Sequence, residues 1–316
     1  MDKKIRIGVS SCLLGNPVRY DGGHKRDRYI TDVLAKYFHF VPVCPEVECG
    51  LPIPRETMRL VGDIENPQLI TRNTGVNYTE KMLSYCHQRV IELEEEDLCG
   101  FIFKKDSPSS GLHRVKIFIS PYNSIKASRG LFAASVVNHY KVLPVEEEGR
   151  LKDAILRENF IEQVFCYSRW KEFLLDSPNY KRLIDFHARH KLLLMSHSPK
   201  YLSTLGKMVA GGKRTPDAEL LHAYEVVLME AMSIVASVKK HVNVLHHIMG
   251  YFKKVLTKDE KAELLEIINQ YAKRMVPLVV PLTLINHYIR KYDTPYLKNQ
   301  VYLEPHPSEL MLRNHV

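Results

Sequence analysis

Three short apolar runs, each cut off by a tight polar loop, most constrain how this chain can fold. Ile5–Ser11 (IRIGVSS) runs into CLLG, His39–Val43 runs into VCPEVECGLP, and Gly100–Lys104 runs toward SPSSG at Ser107–Gly111. Short apolar runs bounded by turn residues read as buried strands. In an open parallel sheet, loops that follow successive strands emerge at one edge and can meet in one crevice. Cys12, Cys44, Cys49 and the serine loop are therefore expected near one another, although they lie far apart in sequence.

Helical apolar spacing in 27–38, 78–96 and 129–140 separates these runs. RVKIFI (114–119) alternates like a further strand, and VLPVEEEG (142–149) closes the unit. The stretch to about residue 77 reads as irregular. Strands alternating with helices predict a mostly parallel, Rossmann-like α/β sheet with helices on both faces.

From about residue 155 the pattern changes to continuous 3.6-residue spacing. Helices are predicted over 155–175, 179–195, 198–210, 216–238, 240–255, 258–273 and 279–291, with Gly211, Gly212, Thr257 and Pro277 as breaks. A chain of 316 residues holds two full cores comfortably. The expected division is an α/β domain at 1–165 and an all-helical domain at 166–316.

The formal charge of +9 is unevenly placed: residues 1–165 carry 23 Lys/Arg against 22 Asp/Glu, and 166–316 carry 22 against 14. A basic helical domain suits a polyanionic partner, nucleic acid before a membrane surface. Six cysteines without a secretory leader argue against a disulfide framework and for metal or cluster ligands, or reactive thiols. No apolar run reaches membrane-spanning length, so a cytoplasmic protein with no membrane partner is expected. The loop with Gly15, Gly22 and Gly23 lacks the G-x-G-x-x-G pattern, and no nucleotide cofactor is expected.

Cys44 and Cys49 share one loop, and Cys12 ends the neighbouring strand. Three thiols at one sheet edge can hold three irons of a [4Fe-4S] cluster and leave the fourth open for Lewis-acid chemistry. A mixed-ligand zinc site and small core thiols stay open as readings. Glu46, between the loop cysteines, is placed to activate water or protonate a leaving atom, or only to cap backbone. Ser107, Ser109 and Ser110 form a turn or an anion-binding nest. In the helical half, His187–Lys191, His197 and His241–His247 lie among Lys191, Lys239, Lys240, Lys253, Lys254, Arg290 and Lys291. Phosphate and base contacts are favoured there over metal binding. Tyr251, Phe252, Tyr288, Tyr292, Tyr296 and Tyr302 offer stacking faces, although most aromatics at helical spacing belong to a core.

At SSCLLG (Ser10–Gly15), RYDGG (Arg19–Gly23), VCPEV (Val43–Val47) and SPSSG the first half resembles the thiouracil desulfurase (TudS) family. HKLLLMSHS (His190–Ser198), HVNVLHHIMGYFK (His241–Lys253) and PLVVPLTL (Pro277–Leu284) resemble a YbgA-like helical family. The combination is similar to the RudS family of tRNA 4-thiouridine desulfidases. The resemblance implies a [4Fe-4S] cluster on three cysteines, a tRNA partner, and non-redox replacement of a thiocarbonyl sulfur by oxygen. Cys12 and Cys44 match family ligands, Glu46 the catalytic acid, and Ser107 the catalytic serine loop. Relatives read S-P-S-C-G where this chain has Ser110, so Cys49 is inferred as the third ligand. Arg19, Lys104, Ser109 and Ser110 are expected around the substrate.

Overall fold

In this computed structural model, residues 4–120, 123–211 and 218–315 are described. The chain forms two compact units, Met1–Lys152 and Asp153–Val316. The division precedes the expected boundary at 165 because Ala154–Leu175 is one uninterrupted helix. Asp153 caps its start, accepting hydrogen bonds from Ile155 N and Leu156 N. Divided here, the charges are 22 Lys/Arg against 19 Asp/Glu in 1–152 and 23 against 17 in 153–316. The basic excess remains in the second unit but is smaller than the expected division gave it.

The first unit opens with strand β1 (Ile5–Ser10), followed by β2 (Phe38–Val43), the one-turn helix α1 (Pro45–Glu48), and strands β3 (Met58–Gly62) and β4 (Pro67–Thr71). Helix α2 (Thr79–Glu92), β5 (Phe101–Phe103), β6 (Val115–Phe118), β7 (Ser124–Ser128), α3 (Leu131–His139) and β8 (Val145–Glu147) complete it. Sheet one is wholly parallel, in the order β2-β1-β5-β8. The chain steps from β1 outward to β2 and returns on the other side as β5, so the strand order reverses at β1. Pro42 sits in β2, the edge strand, where its missing N–H is tolerated. Phe132 of α3 packs edge-on against Phe101 and Phe103, with ring centroids 5.8 and 6.2 Å away.

The expected single sheet is instead two. RVKIFI contributes β6 to a second, mixed sheet ordered β4-β3-β6-β7. Its other strands include β3 and β4, within the stretch read as irregular. Each buries only one or two side chains, such as Leu60 and Leu69, too few for a strong alternation signal. The helix expected over 27–38 is a single π-helical turn (Tyr29–Val33) and a 3₁₀ turn (Leu34–Lys36). Only Ile30 and Leu34 are buried there, and β2 begins at Phe38.

The second unit is helical: α4 (Ala154–Leu175), α5 (Tyr180–His197), α6 (Pro199–Ala210), α7 (Ala218–Ser233), α8 (Val238–Tyr251), α9 (Lys258–Ala272), α10 (Val279–Lys291) and the short α11 (Pro295–Lys298). Side chains of Asn179, Ser198 and Ser237 cap α5, α6 and α8, and Thr257 forms a capping box with Glu260 at α9. Gly211 ends α6, whereas Gly212 lies outside the described residues. Trp170 stacks on Tyr224 at 5.0 Å, with Phe173 and Phe186 beside it, forming the aromatic centre of this core. Among the described residues no single helix is long and apolar enough to cross a membrane.

Candidate active site

The loops after β1, β2 and β5 converge where the strand order reverses, the position at which open α/β sheets bind ligands. They enclose a cleft of about 340 Å³ lined by Cys12, Arg19, Cys44, Glu46, Lys104 and the serine loop Ser107–Ser110, with Arg55 beside them. This volume lies within the range of small-molecule sites, about 300–1,000 Å³.

Glu46 is held from both sides. Arg55 donates to its Oε2 from Nε at 2.8 Å and also from Nη2. Ser109 Oγ donates to its Oε1 at 2.8 Å, and Ser107 Oγ lies 3.0 Å from Ser109 Oγ. Arg55 Nη2 donates to Val18 O at 3.0 Å, and Arg55 N donates to Tyr20 O at 2.8 Å. The arginine therefore ties the loop after β1 to the glutamate after β2. Both side chains are largely buried, at 6% exposure for Arg55 and 14% for Glu46. A paired, hydrogen-bonded charge is the condition under which burial of a carboxylate is tolerated.

The serine loop is anchored by the acidic run at the end of β8, the outer neighbour of β5. Glu147 Oε1 accepts from Leu112 N and His113 N at 2.8 and 3.0 Å. Glu148 accepts from Lys105 N at 2.7 Å and pairs with Lys104 Nζ at 2.5 Å. Ser107 Oγ accepts from Ser110 N at 3.1 Å, and Ser10 Oγ accepts from Lys104 N at 2.9 Å. Gly130, at the start of α3, lies against this loop so closely that a Cβ there would sit 2.5 Å from the Ser109 carbonyl carbon. Only glycine permits that approach.

The thiols divide. Cys12 and Cys44 line the cleft, and burial raises both above the ordinary thiol range, Cys44 to about 11. Cys49 caps the C-terminal end of α1, half-buried, with its Sγ donating to Glu46 O at 3.3 Å, and it is not part of the cleft lining. Burial raises its pKa as well. Cys86, Cys99 and Cys166 are buried core thiols. Glu48 fixes the α1 turn: its Oε1 accepts from Cys44 N at 2.6 Å and its Oε2 from Tyr85 OH at 2.5 Å.

Arg55, Glu147, Glu148 and Ser10 were not among the site residues expected from sequence. Arg55 had a signal: an acid within a Cys–Pro loop requires a cationic partner, and Arg55 follows Pro54 nearby. The glutamates had none beyond their charge.

In the second unit, Lys239, Lys253, Lys254 and Arg290 are exposed, and Lys191 is half-buried. Two expected RNA contacts are otherwise engaged. Lys240 Nζ donates to His197 O and Val235 O at 2.6 and 3.2 Å, and Lys291 pairs with Glu260 at 2.7 Å. Most of the expected histidine surface is interior. His187 bonds Tyr224 OH, His190 bonds Phe186 O, His197 lies between Ile234 O and Glu162, and His241 bonds Tyr302 OH. Burial gives His190, His197 and His241 core hydrogen-bonding roles, whereas His246 and His247 are exposed. Phe252, Tyr288 and Tyr302 are core side chains, and the half-exposed Tyr251 stacks on Tyr296 at 4.9 Å.

Comparison with known proteins gives each unit a relationship. Residues 7–148 match the model of the family described as 2-thiouracil desulfurase, and residues 191–307 match a family described as a protein of unknown function, DUF1722. A solved structure of TudS, a [4Fe-4S]-dependent thiouracil desulfidase, is 28% identical and covers 48% of this chain and 95% of its own, with a TM-score of 0.40. The uncharacterized protein YbgA of Escherichia coli strain K12 is 32% identical over 133 residues, which are 42% of this chain and 79% of YbgA. The chain thus belongs to the YbgA family, and its residues 7–148 are similar to the thiouracil desulfurase family.

Proposed function

We propose that this protein replaces the sulfur of a thiolated uracil with oxygen, and that its substrate is 4-thiouridine in tRNA. The observation that carries the reading is the Glu46 carboxylate, fixed between Arg55 and Ser109 in a cleft that two cysteines also line. The family description of the first unit, 2-thiouracil desulfurase, supports the same chemistry.

The cofactor of this reading is a [4Fe-4S] cluster. The donor set fits one: Cys12 and Cys44 present thiols free of any disulfide to one cleft, and thiolates are the ligands such clusters take. Cys49, one turn beyond Glu46, is the proposed third ligand. When bound, the cluster supplies a thiophilic Lewis acid able to polarise a thiocarbonyl.

The protein's own groups supply the proton chemistry. Water adds to the ring carbon, the carbon–sulfur bond breaks, and sulfur leaves as hydrosulfide, so a thiocarbonyl and water give a carbonyl and hydrosulfide with one proton and no net oxidation. Glu46 takes the proton from the attacking water at Oε1, the oxygen facing Ser109. Ser109 and Ser107 extend that hydrogen-bonded path along the cleft. Arg55 holds Oε2 and keeps the carboxylate aimed. Lys104 and Arg19, both lining the cleft, orient the base or its adjoining phosphate. Exposed Lys239, Lys253, Lys254 and Arg290 of the basic helical unit contact the tRNA backbone.

The test is anaerobic reconstitution, addition of tRNA bearing 4-thiouridine, and measurement of thiocarbonyl absorbance, sulfide and cluster content. Loss of the thiolated base with stoichiometric sulfide and an intact cluster supports the reading. Tightly bound but unchanged tRNA refutes it and points to an RNA-binding regulator. The cleft is also large enough for a free base. Turnover of free thiouracil by a chain that leaves thiolated tRNA untouched would reassign the substrate.

A further inference from the structure

From residue 231 to residue 258, a stretch that contains α8, the chain has five lysines and neither aspartate nor glutamate. The helix buries His241, Val244, Leu245 and Ile248 on one side. On the other side Lys239, Asn243, His246, His247 and Gly250 are exposed at helical spacing, and the exposed Lys253 and Lys254 follow its end. A cationic strip with no acid in its own sequence is the electrostatic footprint of a polyanion site.

An aromatic pair sits at the C-terminal end of this strip. Tyr251, 39% exposed, stacks on the half-buried Tyr296, with ring centroids 4.9 Å apart and planes 17° from parallel. Core packing accounts for Phe252 and Tyr288, which are buried, but not for the exposed ring of Tyr251. Gly250 precedes that ring in the last turn of α8. A Cβ there would meet no atom within 4 Å, and its φ lies outside the left-handed region. Neither packing nor backbone conformation therefore calls for a glycine, which weakens a helix relative to alanine. What the glycine leaves is open surface next to Tyr251.

We infer that this face of α8 binds single-stranded RNA. An unpaired base stacks on the Tyr251–Tyr296 pair, the lysines hold phosphates, and Gly250 lets the sugar–phosphate backbone come close. A duplex keeps its bases stacked on one another and offers no free π-face to the pair. The inference rests on the RNA partner of the proposed function and specifies it: the helical unit grips a loop or an end rather than a stem. It does not require desulfuration. An anionic lipid surface would share the preference for lysine. An interfacial helix, however, presents apolar side chains where α8 presents Asn243, His246 and His247.

Fluorescence anisotropy on the full chain decides it, using a short unthiolated single-stranded RNA and the same sequence as a duplex. The single strand is expected to bind about tenfold more tightly or better. Tyr251→Ala and Gly250→Leu, both at exposed positions, are each expected to weaken single-strand binding by about tenfold. Neither removes a charge, so the salt dependence should keep its slope. Tyr251→Phe, which keeps the ring, should bind like the native chain. Equal affinity for duplex and single strand, or single-strand affinity unchanged in both Tyr251→Ala and Gly250→Leu, overturns the inference and leaves tRNA desulfuration standing. Binding to phosphatidylserine vesicles without binding to either RNA also overturns it, in favour of a lipid surface. Unthiolated RNA offers no sulfur to remove, so failure of the desulfuration reading would show only in the turnover assay.

Discussion

Arg55 directs two N–H groups to a single oxygen of Glu46, leaving the other oxygen, among the described residues, to Ser109. The carboxylate is thereby divided into a tethered side and a working side. Arg55→Lys keeps the charge but loses the two-pronged hold. It is expected to lower kcat for desulfuration by about tenfold to a hundredfold with little change in KM. Steady-state kinetics at fixed cluster content check this, and an unchanged kcat would remove Arg55 from the site's machinery.

Glu46→Gln retains the shape and the contact with Ser109 but cannot take a proton. Loss of a positioned acid–base group typically costs a factor of about 10²–10⁴. Single-turnover rates with thiolated tRNA should fall within that range while cluster absorbance and RNA affinity hold. Full activity in this variant would be incompatible with the proton path described.

Cys49 and Cys86 lie on neighbouring elements, but only Cys49 is partly exposed. Cys49→Ser is expected to lower iron and sulfide content after reconstitution, and Cys99→Ser to leave both unchanged. A full cluster in Cys49→Ser would place the third ligand elsewhere, whatever the activity.

Acid should loosen the helical unit before carboxylate titration begins. Burial holds His241 at a pKa of about 3 and depresses those of His190 and His306. The unfolded chain, with histidine near pH 6.5, takes up these protons first. Its greater proton uptake means stability is present above about pH 6.5 and falls as pH drops toward the folded values. For His241 alone the loss between pH 7 and pH 5 is about 1–2 kcal/mol. Urea midpoints across this range should decline for the native chain and less steeply for His241→Gln.

The lysines divide into two groups by their hydrogen bonds. Lys253→Ala and Lys254→Ala should each reduce the salt dependence of tRNA binding, lowering the log–log slope by about 1. Lys291→Ala, already paired with Glu260, should leave it nearly unchanged. Equal slopes for all three variants would argue against phosphate-led binding through the exposed set.

The sequence was most legible where one element determines its own pattern. The helices from α4 to α10 lie close to their predicted spans because each buries a regular stripe and is stopped by a cap or break such as Thr257 or Gly211. Sheet membership was less legible. Nothing local in RVKIFI distinguishes a strand that joins β5 from one that joins β3, since the alternation is the same for either partner. The grouping of Cys12, Cys44, Glu46 and Ser107 at one cleft could be anticipated from strand-then-loop order. Glu148 could not, because its role depends on a contact 44 residues away in sequence, whereas Arg55, nine residues from Glu46, had the acid's need of a cationic partner as its signal. The histidines misled for a related reason: His190 and His241 resemble surface ligands in composition, and only packing shows that they face inward.

Pro42 in β2 has a consequence for how copies of this protein meet. An edge strand normally offers a ladder of donors and acceptors to any passing strand. Here one rung is missing, immediately before the loop that carries Cys44 and Glu46. At the opposite margin β8 is only three residues long. Neither margin offers a long uninterrupted template, so the parallel sheet is poorly suited to recruiting a second sheet through either edge.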